Sequence, residues 1–290
     1  MKRTIKKATS FLLTLVLVLS VISITCSLSV NAATVDGGSI NDKISWSYND
    51  GKLTISGSGE MPNYKTVNYY YEGIKSDAPW GDYLSSINSV VITGTITNIG
   101  DCCFSDCPSL SNVVLCSTIN SIGESAFARC SNLSKFDFPS QLTKIGNNAF
   151  IGCSSITEVS IPNSVASIGS SAFQSCSNLK KVKLSSALTS ISGSLFQHCG
   201  KLEDVVIPSS VTTIGAYAFY NCSALKVINI PHTVTRICDE SFYSCRSLTE
   251  LNIPESVTHI QSRAFQYCTG LKKVTVNNKS TYFFYDVFKN

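Results

Sequence analysis

Thirteen cysteines and three histidines are the residues of this sequence that could act as nucleophiles, redox groups or zinc ligands. His198 directly precedes Cys199, so a Cys–His nucleophile has to be considered. Adjacent residues in a turn point apart, and a buried thiol resists ionisation, so we predict that this pair is not catalytic. Eight cysteines recur at a constant interval of 23 residues: Cys107, Cys130, Cys153, Cys176, Cys199, Cys222, Cys245 and Cys268.

Zinc binding and disulfide bonding are the other chemistries that these cysteines could support. The cluster of Cys102, Cys103 and Cys107 lacks a second ligand pair at zinc-binding spacing, so no metal site is predicted. Equivalent residues of stacked chain turns point the same way, and a disulfide between them would require both side chains to rotate. We therefore expect the eight periodic cysteines to be buried apolar filler. A disulfide involving Cys102 or Cys116, both at outward positions, stays an open alternative.

The rest of the sequence offers no other catalytic constellation. His232 and His259 fall in segments that we expect to be solvated turns. No nucleophile-elbow, zinc-protease or phosphate-loop motif occurs, and the carboxylates are scattered. We predict that the protein is not an enzyme and binds no cofactor.

The first 33 residues are predicted to be a secretory signal peptide. Four basic residues within positions 1–7 precede an apolar run over 11–24, and Ala32 or Ala33 supplies the small residue for cleavage. The run is shorter than the roughly 20 residues that cross a membrane. The predicted location is therefore secreted or cell-surface, without membrane insertion once the leader is removed.

Charge argues against a nucleic-acid partner. The chain has 23 basic and 19 acidic residues, and the leader holds four basic and no acidic ones, which leaves 23 − 4 = 19 basic against 19 acidic. A nucleic-acid-binding protein needs an excess of positive charge to displace phosphate counterions. The mature chain has none overall.

Regular spacing is the dominant feature of the sequence. Isoleucine precedes each of eight phenylalanines by five residues, from Ile99 to Ile260. A fixed period shared by three residue types predicts a stack of repeats, each resting on its neighbours. The phenylalanines recur every 23 residues: Phe104, Phe127, Phe150, Phe173, Phe196, Phe219, Phe242, Phe265 and Phe288.

One 23-residue coil illustrates the predicted elements. Residues 179–184 alternate as a strand does, with every second side chain inward. Leu188 and Ile191 form a second inward pair, and residues 195–199 predict a short helical turn on the outer side. Glycine follows the isoleucine in several coils, as at Gly146, where a tight bend is expected.

The repeat units IPNSVASIGSSAFQSCSNLKKVKL and IPSSVTTIGAYAFYNCSALKVINI resemble the BspA-like, or treponemal-type, leucine-rich repeats of bacterial surface proteins. The resemblance covers residues 90–276. It implies an α/β solenoid: a right-handed leucine-rich-repeat coil of about eight repeats with a parallel β-sheet on one face. It also implies an extracellular location and adhesive or interaction roles, with host matrix proteins as suggested partners, and it supplies no catalytic residues.

The repeats are expected to lie between two end segments. Residues 34–86 predict an N-terminal capping module with a β-hairpin turning at 49–51, residues 87–276 the solenoid, and residues 277–290 a closing half-repeat.

Aromatic residues of the predicted cap can be interpreted in two ways. Trp80, Tyr83 and some of residues 69–71 could cover the first coil, or they could form an exposed patch that binds sugar or protein. A glycan-binding accessory module is accordingly the alternative function, favoured if the exposed tyrosines form a flat platform with Trp46 or Trp80.

Outward strand residues form the candidate binding surface. They line one face of the predicted sheet, normally the concave one, and their charges alternate between coils. Cross-strand pairing on a solvated sheet is the alternative explanation of this alternation. A second candidate surface is the outer face, where Tyr217, Tyr220, Tyr243 and Tyr267 recur. The residues predicted to contact an extracellular protein are Glu158, Lys180, Lys181, Lys183, Glu203, Asp204, Lys226 and Glu250.

Overall fold

Short β-strands account for almost all regular structure. The computed structural model describes residues 35–69 and 73–289; the predicted signal peptide, together with Tyr70 and Tyr71 of the predicted cap, lies outside them. The described part contains one 3-10 helix, Gly81–Tyr83, and 21 strands. The first five are β1 (Asp36–Asn41), β2 (Ile44–Asn49), β3 (Lys52–Gly59), β4 (Thr66–Tyr69) and β5 (Gly73–Ser76). The others are β6 (Ser89–Ile96), β7 (Asn98–Ile99), β8 (Asn112–Val114), β9 (Ser121–Ile122), β10 (Lys144–Ile145), β11 (Glu158–Ser160), β12 (Ser167–Ile168), β13 (Lys181–Lys183), β14 (Ser190–Ile191), β15 (Asp204–Val206), β16 (Thr213–Ile214), β17 (Arg236–Ile237), β18 (Glu250–Ile253), β19 (His259–Ile260), β20 (Lys273–Val276) and β21 (Tyr282–Phe283).

The N-terminal strands join the sheet of the solenoid. β1, β2 and β3 are antiparallel, and β3 pairs in parallel with β6, the first strand of the coils. The β2–β3 turn places Asp50 and Gly51 at φ 45° and 79°, the left-handed conformation that a two-residue hairpin favours. The hairpin predicted at 49–51 is therefore present, and its sheet continues into the first coil.

Each coil contributes to two parallel ladders. The first contains β6, β8, β11, β13, β15, β18 and β20. The second contains the two-residue strands that end in the periodic isoleucines, followed by β21, which ends in Phe283. Equivalent residues pair at a shift of one repeat, as Val159 with Val182 and Val182 with Val205. Identical side chains therefore stack along the solenoid. The first ladder is interrupted at residues 135–137 and 227–229, which form no strand, and the second is interrupted between β12 and β14.

The third side of each coil consists of turns and not of the predicted helical turn. In the coil around Phe196, Ser194 and His198 have φ of 55° and 62°. An α-helix does not propagate through left-handed residues. The Phe196 N–H instead donates to the Ala218 carbonyl of the next coil at 2.8 Å. The fold is thus a parallel β-solenoid of about eight turns; the solenoid prediction is confirmed, and the helical turn at 195–199 is wrong.

Phenylalanine forms a continuous column through the core. From Phe104 to Phe265 each ring is fully buried, and successive rings through Phe288 stack with centroids 5.0–6.0 Å apart. Trp80 extends this column, since its ring stacks on Phe104 at 5.9 Å and is fully buried. Its Nε1–H donates to the Cys103 carbonyl at 2.8 Å. Trp80 therefore covers the first coil and satisfies a backbone carbonyl that has no preceding coil.

The periodic cysteines form a second buried column with a specific hydrogen bond. Each thiol from Cys130 to Cys268 donates to the phenylalanine carbonyl of the preceding coil at 3.1–3.3 Å. The same carbonyl accepts the backbone N–H of the cysteine in its own coil, as Phe127 does from Cys130 at 3.3 Å. Burial raises the pKa of Cys199 and of Cys268 to about 12, which keeps the donors protonated. The twelve cysteines within the described residues, Cys102 and Cys116 among them, are all free. The seven thiols from Cys130 to Cys268 are thus hydrogen-bond donors as well as buried apolar groups.

Glycine after the isoleucine serves close packing between coils. Gly146 is outside the left-handed region, so the predicted bend does not itself require glycine. A Cβ there would lie 2.6 Å from the Glu124 nitrogen and from the Gly123 carbonyl carbon of the preceding coil. At Gly146 an added side chain would therefore force the two backbones apart.

Candidate interaction surface

The outward residues of the first ladder form what we call the charged strip. Register places Glu158 opposite Lys181 and Lys181 opposite Asp204, so one row alternates in sign from coil to coil. A neighbouring row contains Lys180, Glu203 and Lys226, linked by backbone hydrogen bonds between successive coils. The core residues Val159, Val182 and Val205 lie beneath and hold these rows at a fixed spacing.

Two ion pairs cross the strip, and both are open to solvent. Lys226 Nζ lies 2.8 Å from Glu203 Oε2, and Lys181 Nζ lies 3.8 Å from Glu158 Oε1. A hydrogen bond from Lys226, with its positive charge, lowers the pKa of Glu203. Exposed pairs of this kind contribute little to the stability of a fold, because water and salt screen them. The predicted cross-strand pairing therefore exists, and it leaves the same charges available to another protein.

The residues predicted to contact a partner lie in two grooves and in one row beside them. A groove of about 600 Å³ is lined by Glu158, Lys181, Lys183 and Asp204, and begins at the interrupted coil 135–137. Glu250 lines a second groove of about 430 Å³, which begins at the interrupted coil 227–229. The row containing Lys180, Glu203 and Lys226 lines neither groove and borders the strip.

Phe136 is a groove residue that the sequence prediction missed. It occupies an inward strand position where other coils carry valine, leucine or isoleucine, and its ring packs at 4.8 Å from both Phe138 and Phe150. Two bulky rings at one strand leave less room for regular pairing, which explains the interruption at 135–137. In the sequence, a phenylalanine in place of the aliphatic residue of the other coils indicates this interruption. No difference in side-chain volume explains the interruption at 227–229.

Exposed valines give the strip an apolar component that the charge pattern concealed. Val206 is 67% exposed and Val227 53%, and they occupy neighbouring coils in two adjacent rows. Apolar side chains within a charged surface are typical of protein-binding sites, whose contact centres exclude water.

The tyrosines of the outer face stack on one another and do not form a platform. Tyr220 and Tyr243 lie face to face at 4.7 Å with an interplanar angle of 3°, and Tyr267 meets Tyr243 edge-on at 5.2 Å. In the cap, Trp80 is fully buried and Trp46 meets its ring edge-on at 6.1 Å. Trp46 and Trp80 therefore do not join the exposed tyrosines in a flat platform, which is the arrangement that would favour glycan binding.

His198 and Cys199 do not form a catalytic pair. The Cys199 thiol is buried and donates to the Phe173 carbonyl at 3.1 Å. The His198 Nδ1 instead lies 3.2 Å from the Asn221 side-chain nitrogen, and its ring packs against Tyr220. The adjacent side chains therefore point apart.

Comparison with known proteins gives a repeat family and solved structures. A family model described as "BspA type Leucine rich repeat region (6 copies)" matches residues 82–203 and 189–290. A leucine-rich repeat protein from Eubacterium ventriosum ATCC 27560 is 28% identical with a TM-score of 0.55, covering 85% of this chain and 73% of that chain. The T. pallidum Leucine Rich Repeat protein is 26% identical with a TM-score of 0.50, covering 66% of this chain and 87% of that chain. Curated proteins give no match.

Across residues 35–69 and 73–289, no helix is long and apolar enough to span a membrane.

Proposed function

Since this chain belongs to the BspA-type leucine-rich repeat family, we propose that it is an adhesive scaffold that binds an extracellular protein through the charged strip. The family is typically non-catalytic and its fold is suited to protein binding. The observation that carries the proposal is the strip itself, where alternating exposed charges and exposed valines are held on a stack of short parallel strands.

Charge alternation favours a protein over a uniformly charged polymer. Lys181 lies between Glu158 and Asp204, so a polyanion meeting the lysine would also meet two carboxylates. A protein surface can present charges of both signs at matching positions, which fixes its register and accelerates association. We propose matrix proteins as the partners, as the family resemblance suggests.

Export of the protein completes the proposal. The basic and apolar leader of residues 1–33 would direct the chain out of the cytoplasm. Amino-terminal sequencing of protein recovered from the culture medium or cell surface tests this. We expect a new terminus at Ala33 or Thr34, and an intact Met1 would contradict it.

A binding panel with charge variants tests the strip. The affinity of the mature protein is measured for immobilised extracellular-matrix proteins and for polysaccharides. The wild type is compared with a strip variant in which Lys180, Lys181 and Lys183 are each changed to Glu. The control changes Lys144, Lys201 and Lys279 to Glu, which alters the net charge equally at exposed positions off the strip. We expect the wild type to bind a matrix protein. The affinity should fall at least about tenfold, or 1.4 kcal/mol, in the strip variant and stay unchanged in the control variant.

The opposite results are equally specific. Equal weakening by both triple variants would reduce the effect to net charge, and unchanged binding by the strip variant would remove the strip as the site. Binding to polysaccharides without matrix proteins would favour the glycan-binding alternative.

A further inference from the structure

One row of the charged strip alternates in sign over four consecutive coils. It consists of Lys135, Glu158, Lys181 and Asp204, which recur every 23 residues and are all exposed. Parallel pairing sets Glu158 opposite Lys181 and Lys181 opposite Asp204. Because paired strands lie about 4.8 Å apart, the sign of the charge changes at about that interval along the solenoid axis.

This row forms one side of the groove of about 600 Å³, which we call the strip groove. Alternate residues of a strand point the same way, so the outward residues two positions further along form the other side: Asp137, Ser160 and Lys183. The inward side chains between the two sides form an apolar floor: Phe136, Val159 and Val182. The strip groove therefore runs along the solenoid axis with charged sides and an apolar floor.

The interval between the charges matches that of an α-helix lying along the strip groove. A helix rises about 1.5 Å per residue, so its residues i, i+3, i+7 and i+10 share one face at heights of about 0, 4.5, 10.5 and 15 Å. The four coils place their charges at about 0, 4.8, 9.6 and 14.4 Å. The two series agree to within about 1 Å, which flexible lysine and glutamate side chains can absorb.

Extended chains do not reproduce this interval. Residues on one face of a β-strand are about 6.6 Å apart, so the fourth would be out of register with the fourth coil by about 5 Å. Residues on one face of a polyproline II chain are about 9.3 Å apart and would meet only every second coil, where the charges have the same sign. A helix can pair with the charge of every coil.

Ion pairs already present in the strip groove leave these charges available. Lys181 Nζ lies 3.8 Å from Glu158 Oε1, and Lys135 Nζ lies 2.8 Å from Asp137 Oδ2. All four side chains of these pairs are at least 68% exposed. Since exposed pairs contribute little to stability, the residues can exchange partners at small cost.

We propose that the strip groove binds an α-helix of the partner protein whose contacting face carries one charge per turn, with alternating sign. This inference rests on the proposed function and specifies the structure of the partner. Acidic residues of the helix lie beside Lys135 and Lys181, basic ones beside Glu158 and Asp204, and apolar ones contact the floor. The charges fix the register, because a shift by one coil would bring like charges together.

Two helical peptides of identical composition test the alternation. Both are alanine-rich and about 18 residues long, so that they form helix alone, with leucine at i+4 and i+11 for the floor. The alternating peptide has Glu, Lys, Glu and Lys at i, i+3, i+7 and i+10, and the block peptide has Glu, Glu, Lys and Lys there. Fluorescence anisotropy measures their binding to the mature protein. We expect one site per chain and at least tenfold tighter binding of the alternating peptide.

An exchange of two charges in the protein should reverse this preference. Glu158→Lys combined with Lys181→Glu leaves the net charge unchanged and makes the row read plus, plus, minus, minus, which is complementary to the block peptide. The control combines Glu124→Lys with Lys144→Glu, which makes the same exchange at exposed positions outside the strip groove. The control variant should still prefer the alternating peptide.

A proline version of the alternating peptide separates a helix from an extended chain. Replacing two interior alanines by proline keeps every charge and breaks the helix, so binding should weaken at least tenfold. Equal binding of the two helical peptides, an unreversed preference in the exchanged variant, or full binding of the proline peptide would overturn the proposal. If a matrix protein nevertheless bound the wild type and lost affinity in the strip variant, the proposed function would stand without the helix.

Discussion

Substitution of a single packing glycine tests how closely the coils stack. In Gly146→Ala the new Cβ would lie 2.6 Å from the Glu124 nitrogen and from the Gly123 carbonyl carbon, whereas ordinary contacts begin at 3.4 Å. Both atoms belong to backbone and cannot rotate away. The coils must therefore separate by several tenths of an ångström, which strains the 2.8 Å hydrogen bond from the Gly146 N–H to the Ile122 carbonyl.

The expected loss is the cost of overpacking a tight core, about 1–3 kcal/mol. For a folded domain of this size, 2 kcal/mol lowers the melting temperature by roughly 4–8 °C. Circular dichroism during thermal and urea unfolding measures both quantities.

Gly193→Ala is the matched control. A Cβ at Gly193 meets the Ala216 carbonyl at 3.4 Å and the Ser170 hydroxyl at 3.9 Å, both ordinary contacts. Because alanine restricts the unfolded chain, this variant should be about 0.4–1 kcal/mol more stable than wild type. Equal effects at the two positions would refute the reasoning from coil spacing.

Three further predictions concern buried groups. Phe196→Ala removes a fully buried ring from the column and should cost about 3–5 kcal/mol in urea unfolding, and an unchanged curve would mean that the column is not core. Ser241→Ala should stabilise the fold by about 1 kcal/mol, because this buried hydroxyl has no hydrogen-bond partner and most other coils carry alanine there; a loss of stability would reveal a partner. Burial raises the pKa of the periodic thiols, whereas an unfolded thiol ionises near pH 8.5. The free energy of unfolding should therefore be preserved below about pH 8.5. As the pH rises from there towards 12, each buried thiol should lower the free energy of unfolding by up to about 1.4 kcal/mol per pH unit. In reducing buffer Cys176→Ala should weaken this slope by one proton, and an identical slope would contradict the protonated-donor account.

The repeat architecture could be predicted because each column of the core requires the same type of side chain in every coil. Phe196 has to fill the space between two identical neighbours, so its spacing alone predicts both the stack and its burial. The sequence allows Trp80 either to cover the first coil or to lie in an exposed patch, and the structure shows that its buried ring continues the phenylalanine column before Phe104.

Other features depend on contacts between coils that a single coil does not contain. The acceptor of the Cys130 thiol lies 26 residues earlier, so sequence spacing predicts burial and not the hydrogen bond. The turns on the outer side require left-handed residues such as Ser194 and His198, whose types carry no strong signal for that conformation. The grooves of the charged strip begin where strands fail to pair, and only Phe136 gave a sequence indication of such a break.

Lysine footprinting of the complex tests the binding surface most directly. The protein is acetylated with and without a matrix protein that it binds, and modification of each lysine is read by mass spectrometry. The account predicts that Lys180, Lys181 and Lys183 become protected while Lys144 and Lys201 react at the same rate as in the free protein. Protection of Lys144 or Lys201 with unchanged reaction at the three strip lysines would contradict it.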